Sequence, residues 1–368
     1  MTVSRAFLAV HKRNLALLRR QKSLLIQAAI VPIAMLILST LVYGGFGDAY
    51  AIGVVNQSDS KAAQKLEQQL HDAESDITPL FDVVTDDYDE ARSLVDRGRL
   101  HTVVVIPPDY SSNYRLEVRN YNVNTDAMKN TKGRLQLVLN QADVPGAELR
   151  ITNEMEGAQP HDVWRSAYLG GSAVLLALFF GAMLIAANLF LLERENSTHK
   201  EIMLTPLNPV VAGLANVLSA LVVSTGLSLV PLGLSYWMAE FKADFWHVLM
   251  TYVGMLPVMV ACAGLGIFAG HFLKSFRAAQ PIITIGAMTT FFVSGGFNLV
   301  GYLPPAARAF SEWWPFSRIF SWFNPLLHGF DGLGTGKIVA LLVAAVIGVL
   351  LVHWAYVLER RSREARKM

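Results

Sequence analysis

Residues 166–192 carry no charged side chain. An α-helix needs about 20 apolar residues to cross the hydrocarbon of a bilayer, and five further runs satisfy that requirement, at 24–43, 210–239, 245–273, 278–299 and 338–358. Amides in hydrocarbon find no water to bond, so each run must satisfy its own backbone as a helix. With 167–192 as the second, the chain is predicted to be an α-helical integral membrane protein with six transmembrane helices. Composition agrees, since 53% of the 368 residues are hydrophobic and only 16% charged, too apolar for an ordinary soluble domain. None of the six runs contains Asp, Glu, Lys or Arg. That argues against a transporter driven by an ion gradient, whose relays use intramembrane ionisable groups. Energy for any pumping would have to enter from outside the bilayer.

Between the first and second runs the composition changes. Residues 48–162 are charged throughout and alternate between strand-like and helix-like patterns. Strands are predicted at 51–55, 81–85, 101–106 and 116–120, and helices at 60–71 and 88–97. Pro107-Pro108 stops the third strand. This alternation indicates a small α/β domain. A helical stretch over 126–157, broken at Pro145-Gly146, leads back to the membrane. Gly44, Gly45 and Gly47 mark the entry to the domain and Pro160 the exit. Ala49-Tyr50-Ala51 imitates a signal-peptidase site, but the preceding apolar core exceeds the usual length of about 7 to 15 residues, so the first run is read as a retained span.

Residues 1–22 contain Arg5, Lys12, Arg13, Arg19, Arg20 and Lys22 with no acid, while Phe7, Leu8, Leu15 and Leu18 recur at helical spacing. This is the pattern of a basic amphipathic helix lying on a membrane surface; a nucleic-acid role does not fit, because a span follows at once. A second polar stretch, 193–209, separates the second and third spans. Its Ile202-Met203-Leu204 stripe, ended by Pro206, suggests a short surface helix suited to receiving force from a partner. The tail at 359–368 is basic as well. An even number of spans puts both termini on one side, and positive charge assigns that side to the cytoplasm. The 193–209 stretch is then cytoplasmic and the α/β domain faces outward. Between the fifth and sixth spans, 301–336 is rich in Trp, Phe and Pro, and is read as an outer re-entrant segment of half-length helices.

Few motifs suggest chemistry. Gly334-Thr335-Gly336-Lys337 lacks the glycine and hydroxyl residue of a phosphate loop, with Asp331 and Ile338 in their places. His247, His271, His328 and His353 stand singly, without a carboxylate at ligand spacing, and Cys262 is read as a small buried hydrophobe. No catalytic residue, metal site or cofactor is expected in the chain itself. Gln27, Asn188, Asn216, Ser224, Ser228, Thr284, Thr289, Thr290 and Asn298 are the uncharged polar groups of the spans; helix-to-helix hydrogen bonds account for most such residues. Gly266 and Gly270 form a GxxxG spacing that permits close packing.

The arrangement resembles the ABC-2 type export permeases, in particular the subgroup with an extracytoplasmic α/β domain after the first span. Their cytoplasmic stretch reads roughly E-R-E-x-G-T and ends in T-P. Glu193-Arg194-Glu195, Thr198 and Thr205-Pro206 match it, while Ser197 replaces Gly and Lys200, followed by Glu201, replaces an acid. Ile106-Pro107-Pro108, Ser294-Gly295 and Asn324-Pro325-Leu326 agree further, whereas a family Gly-Lys pair appears as Ala215-Asn216.

The resemblance implies the permease subunit of an ATP-driven exporter in a bacterial plasma (inner) membrane. It would move a hydrophobic or amphipathic substrate outward, as a homodimer or beside a sister permease. Two cytoplasmic ABC ATPase subunits would supply ATP and Mg, and a periplasmic adaptor is an optional partner. Glu193, Arg194, Glu195, Thr198 and Glu201, helped by Arg13, Arg19 and Arg20, become ATPase-coupling residues. Spans two and five usually face the dimer axis in this family, which makes Phe179, Phe180, Met183, Asn188, Thr289, Phe292 and Asn298 pathway candidates. Reversing Glu193 and Glu195 to Lys should then abolish export and leave folding intact. A receptor or scaffold that binds a partner through its outer domain is the alternative. A membrane enzyme is disfavoured for want of any reactive cluster.

Overall fold

A computed structural model describes residues 2–43, 49–74, 79–96, 100, 102–120, 125–142, 163–206, 208–273, 275–297, 300, 304–330 and 332–365. The entry glycines Gly44, Gly45 and Gly47, the break at Pro145-Gly146, the exit at Pro160, and Arg366 and Lys367 of the tail lie outside these residues. The chain divides into two compact units, one of Met1–Val42 with Ser166–Met368 and one of Tyr43–Arg165.

The first unit is helical. Helix α1 (Val3–Arg20) is the amphipathic element, and α2 (Lys22–Tyr43) is the first long apolar helix. Helices α7 (Arg165–Glu195), α9 (Val210–Met238), α10 (Phe245–Phe272) and α14 (Thr335–Ala365) supply four more, with the short α8 (Thr198–Leu204) after α7. Among the described residues five helices, α2, α7, α9, α10 and α14, are long and apolar enough to cross a membrane. The predicted fifth span becomes α11 (Phe276–Val293), which is shorter and carries Arg277 and Gln280 near its start. It stops at Val293 rather than at residue 299 because Gly295 takes φ +90°, and the amides of Gly296 and Phe297 turn back onto the Phe291 carbonyl at 3.1 Å. A glycine in the left-handed region is a common way to end a helix.

A helix that is apolar on every side has no reason to present one face to solvent and belongs at the centre of a bundle. In α7, 94% of the most apolar window is buried, against 22% in α14. Residues of α1, α2, α9, α10, α11, α13 and α14 join α7 in one hydrophobic core. Glycines set the closest crossings. A Cβ on Gly264 of α10 would lie 2.2 Å from the Gly348 carbonyl oxygen of α14, and one on Gly266 would lie 2.2 Å from the Met183 oxygen of α7. The GxxxG spacing is therefore used, Gly266 against α7 backbone and Gly270 against the Phe190 ring. Two half-length helices, α12 (Pro305–Trp313) and α13 (Ser317–Leu327), fill the segment before α14. At 1.5 Å per residue neither exceeds about 17 Å.

The second unit is built on a four-stranded sheet of order β2-β1-β3-β4: β1 (Tyr50–Asn56) is parallel to β2 (Phe81–Thr85) and to β3 (Thr102–Ile106), and β4 (Glu117–Asn120) is antiparallel to β3. Alternate strand residues face opposite sides. Ile52, Val54, Val104 and Ile106 pack with Ala63, Leu66 and Leu70 of α3 (Lys61–His71) and with Leu135 and Val138 of α6 (Thr125–Gln141). Val55, Val103 and Val105 pack with Ala91 of α4 (Tyr88–Asp96). Both faces of the two central strands are covered, which explains why β3 reads as an uninterrupted apolar run. A one-turn helix, α5 (Tyr110–Asn113), lies between β3 and β4.

Candidate functional site

A cluster of buried polar side chains in the first unit lies where α1 meets the C-terminal end of α7. Helix α1 turns Asn14 and Leu18 fully inward, while Leu8, expected on the apolar stripe, is 51% exposed. The packed stripe is His11, Asn14 and Leu18, at i, i+3 and i+7, so two of its three members are polar. They meet Asn216 and Ser219, which share a face of α9. The Asn14 amide donates to Asn216 Oδ1 at 2.7 Å and to Ser219 Oγ at 3.2 Å. Ser219 gives its own proton to the Ala215 carbonyl at 2.7 Å, so His11, 2.9 Å away through Nδ1, acts as a donor.

The Asn14–Asn216 bond belongs to a closed ring. Arg13 donates to Asn14 Oδ1 through Nε at 3.2 Å and Nη2 at 2.8 Å. From Asn14 the ring passes to Asn216, whose amide donates to the Tyr356 hydroxyl of α14 at 3.2 Å. Tyr356 donates to Glu193 Oε2 at 3.0 Å, and Glu193 Oε1 forms an ion pair with Arg13. Four helices thus contribute to one circuit, in which Arg13 donates in both directions and both arms end on the Glu193 carboxylate, one directly and one through Asn14, Asn216 and Tyr356. Glu193 is only 5% exposed. A buried carboxylate is tolerated where its charge is paired and its oxygens accept hydrogen bonds, and the ring provides both.

The next residues fasten α7 to other elements. Arg194 donates to the last carbonyls of α10, Gly270 O at 3.1 Å and His271 O at 3.0 Å, a favourable position for a cation at the negative end of a helix dipole. His271 in turn contacts Glu359 of α14 at 3.2 Å. His199 is buried with its ring 5.9 Å from Phe190 and 5.4 Å from Tyr356. Between α7 and α8 the chain turns at Ser197, which takes φ +60°. This is a conformation suited to glycine, which is the residue expected there from the resemblance. Ser197→Gly should therefore raise the stability of the bundle by about 1 kcal/mol, read as a higher melting midpoint of the purified protein; an unchanged or lower midpoint would contradict the cost assigned to this turn.

The coupling candidates separate into two groups. Arg13, Glu193 and Arg194 are locked into the bundle, whereas Arg19, Arg20, Glu195 and Glu201 are exposed and Thr198 is half-buried. Reversing Glu193 would put a cation beside Arg13 at a buried position, so reversal at that residue is expected to cost folding stability as well. Of the pathway candidates, Phe179, Phe180 and Asn188 are enclosed by their own chain, Phe179 packing on Phe316 and Phe320. Met183 is half-buried, and Thr289 and Phe292 lie on the exposed side of α11. Asn298 lies outside the described residues. Helix α7 is enclosed by the other helices of its own chain, as an all-apolar helix is buried first by its neighbours. Sequence reading missed Asn14, Ser219 and Tyr356 altogether. The one available signal was Asn14 itself, an amide on the inward side of an otherwise amphipathic helix.

A family model described as ABC-2 family transporter protein matches residues 22–354, which takes in every element from α2 into α14. No curated protein matches the chain. The match covers the central helix α7, the Glu193 and Arg194 anchors and the α9 and α10 surfaces they hold, and the chain therefore belongs to the ABC-2 family of membrane transport proteins.

Proposed function

We propose that this chain is the permease subunit of an ATP-driven exporter, moving a hydrophobic or amphipathic substrate outward from the cytoplasm or the inner leaflet of a bacterial plasma membrane. In this reading α11 is a sixth crossing, both termini are cytoplasmic and the α/β unit lies outside. Two cytoplasmic ABC ATPases bind ATP and Mg, and the permease pairs with a second copy or a sister subunit. The observation that supports the reading is the ring. It joins α1, the element best suited to lie on the membrane surface, to the last turn of the central helix through an ion pair and four hydrogen-bonded links. A push on α1 or α8 would be delivered to α7 without slack.

The surface that would receive the push lies beyond the ring, at Arg19, Arg20, Glu195, Glu201 and Leu204, the last being 83% exposed. An apolar side chain so exposed beside charges suits a partner contact of few anchors. Leu204→Asp is expected to lower recovery of a co-purifying ATPase subunit by about tenfold, the size of a lost anchor worth roughly 1.4 kcal/mol, with the permease melting unchanged. Recovery equal to wild type would remove α8 from the docking surface. Loss of function from changes in the α/β unit alone would favour a receptor.

A further inference from the structure

A groove of about 420 Å³ runs between α10, α13 and α14, within the size range of small-molecule sites, about 300–1,000 Å³. Val258 and Leu265 of α10, Trp322 of α13, and Leu341 and Ile347 of α14 form its walls. The one charged residue that lines it is Arg318, in the first turn of α13.

The depth of Arg318 follows from the register of α13 on α7. Asn324 donates to Ser172 Oγ at 2.7 Å, and Phe320 and Phe316 pack on Phe179 with ring centroids 6.0 and 5.7 Å apart. The two helices are therefore antiparallel, and going back from Asn324 to Arg318 means going along α7 from Ser172 towards Phe179. Phe179 is the midpoint of the uncharged run 166–192. Arg318 thus stands near half depth in the bundle, exposed, and among the described residues none forms an ion pair with it. A guanidinium in hydrocarbon requires a counter-charge, and its planar fork fits a phosphate through two parallel hydrogen bonds.

We propose that this groove holds an anionic phospholipid drawn sideways from the bilayer, with its phosphate on Arg318 and an acyl chain along the α10–α14 walls. A phospholipid answers both features of the site at once, whereas a soluble anion has nothing to fill the apolar walls. The proposal uses the membrane placement of the family and does not depend on the direction of transport or on the ATPase contact.

The test uses the full-length protein, washed in detergent and then incorporated into mixed phosphatidylcholine and phosphatidylglycerol vesicles. After re-extraction, bound lipid is read by native mass spectrometry. Wild type should retain phosphatidylglycerol in preference to phosphatidylcholine. Arg318→Gln should retain about tenfold less, as expected for the loss of a charge-assisted contact, and Arg318→Lys an intermediate amount. Ala344 also lines the groove from α14; Ala344→Trp, which keeps the cation but fills the groove, should lose the lipid too. If Arg318→Gln does not yield folded protein, the lipid preference of wild type and the Ala344→Trp result decide. Equal retention of the two lipids, retention by Arg318→Gln equal to wild type, or displacement of the lipid by inorganic phosphate alone would overturn the proposal.

Discussion

Glu193→Ala should destabilise the helical unit by about 3 kcal/mol, the lower end of the range for removing one partner of a buried ion pair. The lower end applies because Arg13 keeps 32% of its side chain exposed and can recover part of its hydration. The remaining cost has a local source: Tyr356 loses its acceptor and Asn14 is left beside a guanidinium without a counter-charge. A double-mutant cycle identifies the ring as the cause. Arg13→Met with Glu193→Met empties it of charge, so the double variant should be more stable than the sum of the single changes by about 2 kcal/mol. The readout is denaturant or thermal unfolding in detergent; additive single effects would mean that the ion pair does not couple α1 to α7. Glu195→Lys is the matched control. Glu195 is exposed, and its reversal should leave unfolding within about 0.5 kcal/mol of wild type. Only the Glu195 half of a double reversal therefore reports on docking.

Gly264→Leu is expected to prevent the bundle from assembling. Its Cβ alone would fall 2.2 Å from the Gly348 oxygen and 2.7 Å from the Gly348 Cα, atoms of a facing helix backbone that cannot rotate away. Relief requires α10 and α14 to separate, which opens the contacts along both helices. The cost should exceed about 3 kcal/mol, the upper end of ordinary overpacking. Gly286→Leu, in α11, serves as the comparison, since nothing lies within 4 Å of its added Cβ. Size-exclusion profiles and melting midpoints of the two variants should differ sharply. A monodisperse Gly264→Leu protein that melts with wild type would show that the α10–α14 approach is looser than described. The Gly264 and Gly348 pair had no motif to announce it, because the two residues lie on different helices and only their crossing makes them neighbours.

Much of the architecture was legible in the sequence. Five of the six apolar runs became helices of spanning length within a few residues of their predicted limits, since backbone satisfaction in an apolar setting leaves a helix as the local solution. The strands at 51–55 and 81–85 and the helix at 60–71 were equally readable, because short runs of β-branched apolar residues and a Ser60 cap, accepting from the Ala63 amide at 3.2 Å, are local signals. The end of α11 was less readable. The apolar pattern continues to residue 299, but helix termination at Gly295 is a matter of backbone conformation rather than hydrophobicity.

What only the tertiary structure decided was which side of each helix is inside and who meets whom there. Hydrophobic periodicity placed Leu8 inward on α1 and was silent about Asn14, yet Asn14 is fully buried and Leu8 half exposed. An amide is buried only where another helix supplies partners, and Asn216 lies 202 positions further along the chain. Glu193 was named as a coupling residue without its setting, since its partners Arg13 and Tyr356 come from opposite ends of the chain. Local propensity and the demand for backbone hydrogen bonds act over a few residues, and so the elements can be read in order. Burial of a charge, the crossing of two glycines and the depth of Arg318 depend on groups brought together from distant parts of the chain, and these are set only once the helices have packed.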